Sequence, residues 1–126
     1  MWSAAIETPR LTESVLTHLC EALVRINVDH LRADRSIPPL YEAGVRYRQE
    51  PRGAETWLDI PRVRARRAGD CEDLVAWRVA ELRVQGESAA EAVGLWQRTP
   101  TGVLVHVQVR RADGRIEDPS RALGMP

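Results

Sequence analysis

The chain has 126 residues, room for one domain with a real core but not for two. Hydrophobic residues make up 44% and the formal net charge is zero. This excludes a disordered chain and any global electrostatic pull toward nucleic acid or anionic membrane. All 18 basic residues are arginine, so the chain offers no lysine amine of its own to an acyl-enzyme.

No apolar run approaches the ~20 residues of a membrane span. Met1 to Glu7 lacks the basic stretch and following apolar run of a signal peptide. A cytoplasmic protein is expected, with Cys20 and Cys71 as reduced thiols.

In chain order, Leu11, Val15, Leu16, Leu19, Leu23, Ile26 and His30/Leu31 recur at helical spacing. They predict a helix over about 9–33, with Thr8 as N-cap and Pro9 at the first helical position. Pro38-Pro39 ends this pattern. From Leu40 to Ala68 the signals are mixed and predict loops with one short helix; the Arg62–Arg67 run reads as a solvated face. A second helix runs from Cys71 to about Val84, capped by Asp70 and closed by Gly86. Glu72 and Asp73 place negative charge in its first turn, where the dipole favours it. Leu74, Val75, Ala76, Trp77, Val79, Ala80, Leu82 and Val84 surround most of it, the mark of a central, buried helix.

After Gly86 the period becomes two. Val93, Leu95 and Gln97 alternate with Gly94, Trp96 and Arg98, then Val103, Val105, Val107 and Val109 with Leu104, His106, Gln108 and Arg110. Ala112-Asp113-Gly114 forms a turn, and Arg115 to Asp118 a short strand ending at Pro119. If the turn is a three-residue loop with glycine at its left-handed position, Arg111 pairs with Arg115 and Gln108 with Asp118. His106 is then the diagonal neighbour of Asp118 on one face, about 7–8 Å away between backbones. A two-residue loop would put them on opposite faces.

Cys71, at a helix start, faces unpaired N–H groups and the positive end of the dipole. Both lower a thiol pKa, and the same donors can hold an oxyanion. The flanking acids oppose this, so an imidazole partner is required, and His106 projects from the non-valine face of its strand. Asp118 can orient that imidazole. Cys20, on a helical stripe, reads as a small core residue, and His18 and His30 as ordinary helix residues. Trp57, Trp77 and Trp96 read by default as core packing. No CxxC pair supports a zinc site.

Gly69-Asp70-Cys71-Glu72-Asp73-Leu74, then His106, then Asp113-Gly114 and Glu117-Asp118-Pro119, resembles the transglutaminase-like superfamily, most closely its bacterial cysteine proteinases. The match covers about Glu55 to Ser120. The resemblance implies one transglutaminase-like domain over 1–126, with its catalytic core over about 55–122. The implied fold is an α+β, papain-like core in which the nucleophile helix packs on a small antiparallel sheet. It implies a Cys71–His106–Asp118 triad cleaving amide or peptide bonds of a protein or peptide substrate through a thioester, or else transferring the acyl group to an amine.

Trp57 stands where relatives carry an aromatic that lines the cleft or offers its indole N–H to the oxyanion. Some of these proteinases bind calcium through acids flanking the cysteine, here Asp70 and Glu72. Two carboxylates fall short of the about 6–8 oxygens calcium takes, so no cofactor is expected. The chain is also similar to small transglutaminase-like proteins of phage and prophage gene clusters. That implies a third reading, a non-catalytic adaptor among phage structural proteins, located in the particle. No nucleic-acid or membrane partner is expected.

Overall fold

A computed structural model describes residues 13–49, 56–100 and 102–126. Thr8 and Pro9, expected to start the first helix, lie outside them. The fold is mixed α+β. Helix α1 spans Glu13–Ala33 and is followed by a single 3-10 turn at Leu40–Glu42. Strand β1 (Arg46–Tyr47), helix α2 (Ile60–Arg66), strand β2 (Ala68–Gly69) and helix α3 (Cys71–Val84) come next. Strands β3 (Glu91–Thr99), β4 (Gly102–Arg110) and β5 (Ile116–Glu117) and a short helix α4 (Pro119–Ala122) complete the order. Among the described residues no helix is long and apolar enough to cross a membrane.

The centre is α3. Every residue from Cys71 to Trp77 is buried, so the helix has no solvent face over its first two turns. It separates two apolar clusters. One joins Cys71, Val75 and Val79 to Leu16, Cys20 and Val24 of α1 and to Val107 and Val109 of β4. The other gathers Leu74 and Trp77 with Leu40, Val45, Leu58, Ile60 and Val63. The valine face of β4 therefore lies on the helices. Its mixed face, with His106 and Gln108, is only half-buried.

Strands β3, β4 and β5 form an antiparallel sheet in that order. Val109 opposes Glu117 and Arg110 opposes Ile116, the register of a three-residue loop. Arg111 N–H donates to the Arg115 carbonyl at 2.8 Å, and Gly114 takes a φ of 89°, which favours glycine. Between the helices, β1 and β2 pair in parallel, a small sheet absent from the sequence expectation. The short helix there is α2. Asp59 caps it, accepting from Arg62 N–H at 3.3 Å while lying 3.1 Å from His30 Nε2 of α1.

Candidate active site

The first turn of α3 is fixed by a reciprocal cap. Asp70 accepts from backbone N–H groups of the turn, and Asp73 returns a hydrogen bond to Asp70 N–H at 3.1 Å. Asp73 also accepts from Leu58 N–H at 2.8 Å, tying the Trp57-Leu58 segment to the helix start. Gly69 must stay small, because a Cβ there would lie 3.1 Å from Leu74 Cδ2 and 3.2 Å from Asp73 Cβ. Cys71 N–H is taken by Asp70 Oδ1 at 2.6 Å. The helix-end donors expected to serve an oxyanion are thus partly engaged by the cap itself.

Cys71 is 7% exposed, and its Sγ lies 3.2 Å from Glu72 Oε2, the acceptor for its S–H. A second contact comes from the sheet. Arg111 N–H faces β5, and backbone groups two residues apart point the same way, so the N–H groups of Val109 and Val107 face that side too. Strand β5 pairs as far as Glu117, opposite Val109, and then turns into α4. The Val107 N–H at this open edge acts on Cys71 in the direction of the thiolate.

Burial, then the charges of Glu72 and Asp70, push the Cys71 thiol far above its usual range; the Val107 N–H opposes this without prevailing. The helix terminus is expected to acidify this thiol; desolvation and two adjacent carboxylates act the other way and favour its neutral form.

On the other face of β4, His106 Nε2 lies 2.8 Å from Asp118 Oδ2, leaving Nδ1 as the second ring nitrogen. Burial raises the Asp118 carboxyl, but hydrogen bonds from His106 and Gln108 hold it below the usual range. Asp118 also caps α4, accepting from Arg121 N–H at 3.3 Å. The structure therefore joins His106 to Asp118 and places Cys71 in one buried cluster with Val107, the residue after His106. Cys71 Sγ and His106 are not hydrogen-bonded to each other. Trp57 is half-buried and packs on the cluster that contains Cys71.

Two residues that sequence reasoning passed over belong here. Gln108 donates its Nε2 to Asp118 at 3.0 Å; its place opposite Asp118 in the hairpin register was the available signal. Tyr47 of β1 has its phenol pushed up to about 12 by burial and by the nearby Asp70, Cys71 and Glu72. Nothing in its mixed stretch of sequence marks it.

Ligand atoms of Asp70, Cys71 and Glu72 lie within 4.8 Å of one another. They do not fit calcium. They supply two carboxylates and a soft sulfur, and one Asp70 oxygen already serves Cys71 N–H. No family model matches the sequence, and no curated protein or solved structure gives a significant match.

Proposed function

We propose that this protein is a cysteine-dependent hydrolase of amide or peptide bonds, on a transglutaminase-like variant of the α+β fold. The observation that carries the reading is the His106–Asp118 pair at 2.8 Å on the strand whose next residue, Val107, shares a buried apolar cluster with Cys71. Because the thiol is neutral at rest, the proton leaves as substrate arrives rather than beforehand. His106, on the face of β4 turned away from the helices, must swing toward the sulfur to accept it, while Asp118 stabilises the imidazolium and the sulfur bonds to the substrate carbonyl carbon. The carbon–nitrogen bond then breaks, His106 returns the proton to the departing amine, and a thioester remains. Water attacks the thioester with His106 as base, releasing a carboxylic acid and restoring the thiol. Trp57 is assigned to the oxyanion, since Cys71 N–H is held by Asp70.

One observation favours a second reading. A thiol 7% exposed and hydrogen-bonded to Glu72 suits an adaptor that keeps the fold without turnover. A mass-spectrometric screen of a mixed peptide library separates the two, with a fluorescent amine added in a parallel arm. The hydrolase reading expects cleavage by the wild type, no cleavage by Cys71→Ala, and a thioester trapped by hydroxylamine. Label transfer to glutamine-containing peptides identifies acyl transfer instead. Absence of any Cys71-dependent product overturns the enzyme reading.

A further inference from the structure

The acid next to Asp118 is engaged more heavily than the triad requires. Glu117 accepts from Arg78 Nε at 2.6 Å and Nη2 at 3.3 Å, from Tyr41 Oη–H at 2.6 Å, and from Arg111 Nη1 at 3.1 Å. Arg78 stands on α3 seven residues after Cys71, two turns on and on the same helix face. Its guanidinium lies over the Tyr41 ring, 5.2 Å from the centroid, and reaches Glu81 at 3.1 Å. The forked, stacked geometry fixes its position in a way a single point contact would not. Both partners are largely shielded, with side chains 16% and 23% exposed.

We infer that Arg78 and Glu117 are the positioning pair that sets Asp118 against His106, an inference resting on the triad reading above. Strand β5 pairs through only two residues, and Ile116 is 53% exposed, so the ladder alone anchors it poorly. Neighbouring side chains on a strand point to opposite faces. Glu117 shares the face of Val109, which lies on the helices, whereas Asp118 shares the face of Gln108 and His106. Holding Glu117 on α3 therefore holds Asp118 outward toward the imidazole. The nucleophile helix meets the β4–β5 unit through the packing of Cys71, Val75 and Val79 on Val107 and Val109, and through the Arg78–Glu117 pair. The pair touches no reacting atom and acts through Asp118.

The test is the pH–rate profile of Cys71 alkylation by iodoacetamide, read on the Cys71 peptide by mass spectrometry, with circular dichroism confirming folding. Asp118→Asn is the reference variant for a lost triad. Arg78→Met and Glu117→Gln should both change the shape of the profile as Asp118→Asn does. They should slow the reaction near neutral pH on the order of tenfold, the scale of a slightly misplaced base. Arg78→Lys should recover part of that loss. Arg115→Met, at an exposed residue of the turn whose side chain pairs with Asp113, should keep the wild-type profile. If Asp118→Asn moves the profile while Arg78→Met and Glu117→Gln merely lower stability, the pair is structural and the inference is overturned alone. If Asp118→Asn moves nothing either, the triad reading falls with it.

Discussion

Replacing Glu72 by glutamine should speed alkylation of Cys71 at pH 7.5 by about tenfold or more, each unit of lowered thiol pKa raising the thiolate fraction about tenfold. The direction follows from the causes. Burial is the largest reason the thiol resists ionisation, and the Glu72 charge is the next. Glutamine removes that charge and weakens the acceptor now 3.2 Å from Sγ, while leaving the burial unchanged. The thiol pKa is raised, so the variant moves it down and thiolate appears at lower pH. Rates measured from pH 6 to 10 on wild type and variant check this. Superimposable profiles would show that Glu72 does not govern the sulfur.

The second large effect concerns the framework under the site. Asp73→Ala should lower stability by about 3–5 kcal/mol, since hydrogen bonds to a charged acceptor are worth about 1.5–3 kcal/mol each and orphaned buried donors add to the loss. Asp73 is fully buried and accepts from Leu58 N–H at 2.8 Å and Asp70 N–H at 3.1 Å. Alanine leaves both donors without this acceptor, that of Leu58 in a buried site. For a domain of this size the melting temperature should fall by roughly 10–20 °C. Asp73→Asn, which retains one carbonyl oxygen, should lose distinctly less. A calorimetric shift below about 3 °C for the alanine variant would contradict this account of the helix start.

The parts of this molecule legible in sequence are those whose signals are local. Asp70, at the start of a helix apolar over most of its surface, announced both the cap and the central position of α3, while the reciprocal part of Asp73 was not read. Gly114 suited the left-handed corner of a three-residue loop, the one of two possible registers in which His106 and Asp118 meet, and it is the register observed. The parallel pairing of Arg46 with Ala68 could not be read. Each strand has two residues, too few for a period, and the partners are far apart in the chain. Helix α4 was hidden because Asp118-Pro119 reads equally well as the end of a strand and as an N-cap with proline in the first turn. The raised Cys71 pKa was illegible for another reason. The dipole and the adjacent acids are visible in sequence, but the desolvation that decides between them comes from α1 and β4 packing over the sulfur. Tyr47 was missed likewise, since only folding brings β1 beside the start of α3.

Two acids in tandem, one facing each side of a strand, also guard against misfolded hairpin isomers. Sliding β5 one residue one way would turn Asp118 toward Arg78 and offer proline to the imidazole. Sliding it the other way would give Glu117 to the imidazole and leave the guanidinium facing isoleucine. Only one alignment sets a carboxylate of this strand against both Arg78 and His106, so the Glu117-Asp118 dipeptide works as a two-letter password that a slipped chain cannot supply.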